Sequence, residues 1–393
     1  MIPFSKKLVL FGAGRIGRSF IAYLFSQAGY EVVFVDIDKQ LIDALNIKGG
    51  YDVIVKSKQE EKLHIKGVRG VLAENTKQVT KEIATADILA VSVGAKGLDS
   101  SIHLISLGLV KRYKKSRIPL DIIIAENLRN GAEYMKEKLV HFLPERFPVD
   151  RMVGLVETSI GKMVPIMTKE ESERDILQVF AEPYCTLIVD KQGFVNPIPV
   201  IDGLAPKTNI KAWVDRKLFI HNLGHVAAAY FGYFHYPGHI YMFEILEHKE
   251  VEDFTREVMM QSSKILQVMY PGVFTERHLK DHIEDLISRF QNKALGDTVF
   301  RVGCDLQRKL GRDDRILAPF KSGIKQDLPI NEIAQVIFYS SFFRKKDENG
   351  EFLRSDVEFH EMIEEKGIKE VLSTLGDLSS VEWKYLVQFF PQR

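Results

Sequence analysis

The sequence predicts an α/β protein in which a doubly wound, mainly parallel sheet is followed by a mainly α-helical C-terminal domain. Three observations predict it. Through residue 125, short β-branched runs alternate with amphipathic helical stretches. A glycine-rich turn joins the first run to the first helical stretch. Beyond residue 206, most segments carry the apolar spacing of helices.

Taken in order, residues 7–11 read as a strand, 15–28 as a helix, 31–36 as a strand and 38–45 as a helix. Residues 87–93 and 121–125 are further apolar strands, with a helix near 98–113 between them. Strands that are apolar throughout suit a parallel sheet covered on both faces. Residues 51–68 differ: Val53, Ile54, Val55, Leu63 and Ile65 suggest a small β excursion, a hairpin around the charged residues 58–62. The stretch QGFVNPIPVIDGLAP at 192–206 shifts to Gly, Pro and Asn and marks the expected connection between domains. That gives a first domain over 1–200 and a second over 201–393. Helices are expected over 211–231, 240–269, 276–290, 331–343, 357–365 and 368–375.

A length of 393 residues suits two domains, and 45% hydrophobic with 27% charged residues gives ample core and no reason to invoke disorder. The formal net charge of +1 gives no global attraction to nucleic acid or an anionic membrane, so any anion site must be local. Cys185 and Cys304 lie far apart outside any CxxC pattern, which points to inert thiols rather than a disulfide framework or a zinc site. The apolar residues 8–11 are too short for a signal core, and nothing approaches the ~20 apolar residues of a membrane span. The expected location is the cytoplasm.

Gly12-Ala13-Gly14-Arg15-Ile16-Gly17 is a GxGxxG sequence placed directly after a strand and opening a helix. This is the context of a Rossmann dinucleotide-binding turn: Gly12 for the tight bend, Gly14 for close approach of a pyrophosphate, Gly17 for helix-to-strand packing. The exposed helix N–H groups and the helix dipole then favour phosphate. Asp36 ends the second strand about twenty residues on, where an acidic side chain accepts from a ribose diol and repels a 2′-phosphate. That selects NAD over NADP. Asp38 shares this role or caps the following helix. Gly94 closes an apolar strand and is either a backbone contact to the cofactor or a plain turn glycine.

Oxidising an alcohol needs a group to take the hydroxyl proton and donors to hold the developing oxyanion. In KAWVDRKLFIHNLGHVAAA (211–229), Lys217, His221, Asn222 and His225 fall within about 140° of one helix face. His221 and His225 stand four apart, a spacing open to a metal, but HNLGH lacks the glutamate of HExxH and no third ligand stands out. No metal is expected, and His221 reads as a packed or surface histidine.

The pattern Lys217-x4-Asn222-x2-His225 resembles the signature of the polyol-specific long-chain dehydrogenase/reductase family, and RKLFIHNLGH resembles its mannitol-phosphate-linked members most. The likeness extends over FGAGRIGRSF (11–20), IIAEN (123–127), LIVDK (187–191), RFQN (289–292) and RVGCDLQRKLGRDDR (301–315). It implies reversible, NAD-linked, metal-free oxidation of a sugar alcohol to a ketose. For a phosphate-bearing substrate this interconverts mannitol 1-phosphate and fructose 6-phosphate. It further implies Lys217 as acid/base, Asn222 as a donor to the alkoxide, His225 as a group that holds the substrate oxygen or orients the lysine, and Asn127 as a second oxyanion donor. Asn127 reads alternatively as a helix cap.

Arg308, Lys309, Arg312 and Arg315 are the expected contacts for a substrate phosphate or carboxylate, although Asp313 and Asp314 could neutralise them internally. Two segments depart from the family pattern. Gly161-Lys162 stands where Asp-Arg is common before an Ile/Val-x-Pro, and Ala125-Glu126-Asn127 where Cys-Glu/Asp-Asn is usual. They leave the substrate open to a hexuronate (tagaturonate or fructuronate) or an unphosphorylated polyol. A non-catalytic NAD-binding sensor is the alternative of another class.

Overall fold

The computed structural model describes residues 6–57 and 59–390 and divides the chain into two compact units, Met1–Val214 and Asp215–Arg393.

The first unit contains the strands β1 (Lys6–Phe11), β2 (Tyr30–Asp36), β3 (Gly50–Val55), β4 (Glu61–Lys66), β5 (Val68–Leu72), β6 (Ile88–Val91), β7 (Leu120–Ile124), β8 (Val153–Ile160), β9 (Val179–Ala181), β10 (Leu187–Asp190) and β11 (Leu204–Lys207). Eight of them form one sheet in the order β11-β10-β8-β7-β6-β1-β2-β5. Every pairing in it is parallel except β8 with β10. The expected Rossmann-type sheet is therefore present. Its strand order reverses at β1, which has β2 on one side and β6 on the other, and such a switch point is where an open α/β sheet binds its ligand.

Burial explains why these runs read as strands. Leu8 and Leu10 of β1 join Phe20, Phe25 and Phe34 on one face, while Val9 and Phe11 join Val33, Leu89, Ile102 and Leu139 on the other. A strand buried on both faces needs no polar alternation. The β excursion is also found. β3 and β4 pair antiparallel with Val53 opposite Leu63, and β9 adds to β3 in parallel. Lys58, between β3 and β4 in sequence, lies outside the described residues. The Gly- and Pro-rich stretch 192–206 runs into the edge strand β11, and the unit continues to Val214.

The second unit is helical. Glu276–Phe290 forms as its periodicity predicts: Leu279, Ile283, Leu286, Ile287 and Phe290 are buried, and the Thr275 side chain accepts from the His278 N–H at the start. The helix expected over 240–269 is instead two, Met242–Ile245 and Lys249–Met269. Glu250 and Glu252 in the first turn of the second helix favour a fresh N-terminus there, which periodicity alone does not reveal. Asn331–Ser340, Arg354–Lys366 and Ile368–Gly376 follow as helices. Among the described residues, no helix is long and apolar enough to cross a membrane.

The helices expected over 15–28 and 211–231 both contain a π-helical turn, Gly17–Ile21 and Lys217–Asn222. Both interrupted stretches carry the motifs singled out in the sequence. Such insertions concentrate at functional sites.

Candidate active site

In the first unit, the glycine turn has three distinct geometries. Gly12 has φ +95°, and a Cβ there would sit 2.0 Å from the Ser92 carbonyl oxygen. A Cβ on Gly17 would sit 2.2 Å from the Gly12 carbonyl oxygen. Gly14 is exposed, with nothing within 4 Å of the Cβ position. Gly12 thus permits close approach to the backbone just past β6 and Gly17 close packing of the helix on the turn, while Gly14 leaves open space over it. That space is open to a pyrophosphate, with exposed Arg15 next to Gly14 in sequence and partly buried Ile16 packed against the core.

Asp36, at the end of β2, accepts from the Ala13 N–H at 2.6 Å and the Asp38 N–H at 3.0 Å. A carboxylate has about four acceptor positions, so it retains capacity for a ribose diol. Asp38 caps the helix Lys39–Lys48 through the Leu41 N–H, which is the second of its two expected readings. The turn has a further brace that sequence reasoning missed. Buried Arg18 donates to the carbonyls of Ala13, Ile176 and Leu177 at 2.7, 2.9 and 2.7 Å.

Gly94 has φ +74° at the start of the helix Ala95–Lys115. Its N–H and that of Val93 donate to Glu126 Oε1 at 2.9 and 2.6 Å. Burial pushes the Glu126 carboxyl upward in pKa against those two donors. Asn127 is exposed just past β7. The next helix, Gly131–Phe142, has Asn130 at its N-cap position, and the Glu157 carboxylate accepts from the backbone of Asn130, Gly131 and Ala132. Asn127 is therefore not its cap. Lys162, the departure from the family arginine, is buried and donates to the carbonyls of Glu182 and Tyr184 at 2.9 and 2.7 Å.

In the second unit, the π turn governs how the lysine motif is presented. On an α-helix, residues five apart diverge by about 140°. A π turn bonds i to i+5 and has more residues per turn, so it reduces that divergence between Lys217 and Asn222. Lys217 is half-buried. Burial, followed by the positive charge of Arg315, lowers its pKa to about 8. His221 is buried against Phe290, and burial with Arg289 and His225 nearby lowers its pKa well below the ordinary value, so it is a packed histidine. His225 stacks on Phe290, ring centroids 4.3 Å apart and planes within 5°. Its Nε2 lies 3.2 Å from Asp297 Oδ2, close but poorly aligned for a hydrogen bond. Burial lowers the His225 pKa although Asp297 opposes it.

The basic run does not converge on one point. Lys309 is buried, with its amine bonded to the carbonyls of Val302 (2.7 Å) and Cys304. Arg308 pairs with Asp305 and with Asp314 at 3.3 Å, and Arg312 with Asp377 at 2.8 Å. Arg315 bonds Asp314 at 2.8 Å, and its charge is felt by both Lys217 and His225. Of the four, Arg315 is the one placed within electrostatic reach of the lysine motif. Among the described residues, no group of three or more His, Cys, Asp or Glu side chains is gathered as a metal site requires.

Residues 6–203 match the mannitol dehydrogenase Rossmann domain, and residues 209–388 match the mannitol dehydrogenase C-terminal domain. The chain is 32% identical over 348 residues to the mannitol-1-phosphate 5-dehydrogenase of Lactococcus lactis subsp. cremoris strain MG1363, covering 88% of each. It is 30% identical over 379 residues to that of strain SK11, covering 95% of each. Among solved structures, Pseudomonas fluorescens mannitol 2-dehydrogenase in ternary complex with NAD and D-mannitol superposes with a TM-score of 0.76 at 16% identity, over 98% of this chain and 91% of that one. A substrate-free D-sorbitol dehydrogenase gives 0.74 at 15% identity, over 93% and 94%. At those identities the two structures attest the fold.

Proposed function

The chain belongs to the mannitol dehydrogenase family, and from that footing we propose that it interconverts mannitol 1-phosphate and fructose 6-phosphate, with Lys217 as acid/base and no metal. It is an NAD-dependent polyol dehydrogenase; the phosphate, the lysine and the absence of metal are the proposed part. The observation that carries the reading is Lys217 on one π turn with Asn222, its pKa lowered to about 8 by burial and by the charge of Arg315. An amine with that pKa is neutral often enough near neutral pH to take a proton, and protonated often enough to return one. The curated mannitol-1-phosphate 5-dehydrogenases support a phosphorylated substrate.

NAD, when bound, supplies the hydride acceptor. In the direction of oxidation, neutral Lys217 takes the proton of the reacting hydroxyl. The Asn222 amide donates to the oxygen as its negative charge grows, and His225 holds that oxygen or the lysine in place. Asn127 is proposed as a further donor. In reduction, the Lys217 ammonium returns the proton to the carbonyl oxygen. Arg315 is the proposed principal contact for the substrate anion, and its charge also favours the neutral form of Lys217. Arg308 and Arg312 are proposed as lesser, exposed contributors. The cytoplasm is the proposed location.

The test is NADH consumption with fructose 6-phosphate, fructose, tagaturonate and fructuronate in parallel. Turnover of fructose 6-phosphate well ahead of the others is expected. Turnover confined to a uronate would transfer the assignment to a hexuronate reductase, and NADH binding without turnover of any ketose would favour a sensor. Exhaustive chelation should leave the rate unchanged; a loss restored by metal overturns the metal-free mechanism.

A further inference from the structure

We infer that Asp297, which lies outside the Lys-x4-Asn-x2-His pattern, is a positioning residue that keeps the proton of His225 on Nε2 and ties that ring to Arg301. The inference rests on the proposed reading of Lys217, Asn222 and His225 as the site of chemistry.

Asp297 is only 6% exposed. A carboxylate that deep is costly unless it is paired and hydrogen-bonded. Arg301 supplies one partner through a two-pronged contact, Nε to Oδ1 at 2.6 Å and Nη2 to Oδ2 at 2.5 Å. His225 Nε2 supplies the other, meeting Oδ2 at 3.2 Å. Burial alone would push the Asp297 carboxyl up, but His225 and Arg301 outweigh it and hold it well below the usual carboxylate range. The carboxylate is therefore charged wherever the enzyme works, and a charged carboxylate only accepts.

That fixes the tautomer. An acceptor facing Nε2 favours hydrogen on Nε2 and leaves Nδ1 with a lone pair. Burial keeps the ring neutral, so Nδ1 is free to accept from a hydroxyl or an ammonium. Phe290 sets the plane of the same ring by stacking on it. One contact fixes the face of the imidazole and the other its edge. Asp297 is itself anchored from both sides. Its carbonyl accepts from the Met242 N–H at 2.9 Å, and Thr298 next to it caps the short helix that carries Arg301. The Nε2 contact is long and off-line, as catalytic contacts often are before ligand tightens them.

The direct test uses the unaltered protein. Imidazole 15N shifts in histidine-labelled enzyme, assigned with His225→Gln, should show His225 as the Nε2–H tautomer at pH 7; an Nδ1–H tautomer overturns the inference. Asp297→Asn preserves shape while offering an amide, and it should lower kcat about tenfold to a hundredfold with KM changed less than about threefold. It should also alter the His225 tautomer signal, while NADH binding and thermal midpoint identify a variant that has lost its fold. Asp297→Glu should recover part of kcat. If Asp297→Asn folds and leaves both kcat and the tautomer unchanged, the inference falls. If His225→Gln itself leaves kcat unchanged, it is the underlying assignment of the site that fails.

Discussion

The carboxylate of Asp36 accepts a hydrogen bond from the backbone N–H of Ala13 at 2.6 Å, so the end of β2 braces the glycine turn that follows β1. The side chain expected to select NAD thus also holds the turn proposed to receive its pyrophosphate. Asp36→Ala removes a charged acceptor and that brace together. A hydrogen bond to a charged group is worth roughly 1.5–3 kcal/mol, so NADH binding should weaken about tenfold to a hundredfold. NADPH binding should improve relative to it, because the repulsion of a 2′-phosphate is gone. Fluorescence titration with both cofactors checks this; an unchanged preference for NADH would refute the selecting role.

Lys217→Ala should reduce kcat about a hundredfold to ten-thousandfold, the range set by losing a general acid/base. NADH binding should stay within a factor of about three, since the lysine lies outside the dinucleotide-binding unit. Steady-state rates and NADH titration on the same preparation separate the two. A variant that retains full turnover would remove Lys217 from the chemistry.

The pH dependence has opposite signs in the two directions. In the proposed mechanism polyol oxidation needs neutral Lys217, so its rate should rise as pH passes upward through about 8. Ketose reduction needs the ammonium and should fall across the same interval. Burial is the larger cause of the lowered pKa and Arg315 the second, so Arg315→Gln should move both profiles towards higher pH without abolishing either. If Arg315 also contacts the substrate anion, the same variant raises KM for fructose 6-phosphate far more than for fructose. Profiles that do not move on this substitution would show that Arg315 does not tune the lysine.

How much of this was legible in the sequence depends on the range of the interaction concerned. Strand β1 reads directly because Leu8, Val9 and Leu10 are each wholly buried, so local composition reports local environment. The glycine turn reads as a motif: Gly17 answers to a contact close in sequence, the Gly12 carbonyl, and Gly14 to open space, whereas the contact that Gly12 permits is with distant Ser92 and is not visible in the local residues. Lys217 and Asn222 were found as a motif, but α-helical spacing misjudges their alignment, since nothing in the residue pattern marks the extra residue of a π turn. Arg18, Glu126 and Asp297 were missed for a common reason. Each has a partner far off in sequence, at 176–177, 93–94 and 225, brought near only by the folded chain. The basic run was legible as charge but not as geometry: Lys309 turns inward to two carbonyls and Arg312 reaches Asp377.

The three glycines of the turn should separate stability from binding when each is replaced by alanine. A Cβ at Gly17 meets the Gly12 carbonyl oxygen at 2.2 Å, a rigid backbone atom, so Gly17→Ala must shift strand and helix apart. Overpacking of that kind costs about 1–3 kcal/mol, which calorimetry should register as a lowered Tm. Gly12→Ala adds a left-handed φ of +95° to a collision with Ser92 and should be the more damaging of the two. Gly14→Ala meets nothing within 4 Å and should leave Tm unchanged. Its methyl group then occupies the space through which a pyrophosphate approaches the backbone, so NADH binding alone should weaken. Equal loss of Tm in all three variants would mean that Gly14 has a packing role instead, and that the open space over the turn is not where the cofactor lies.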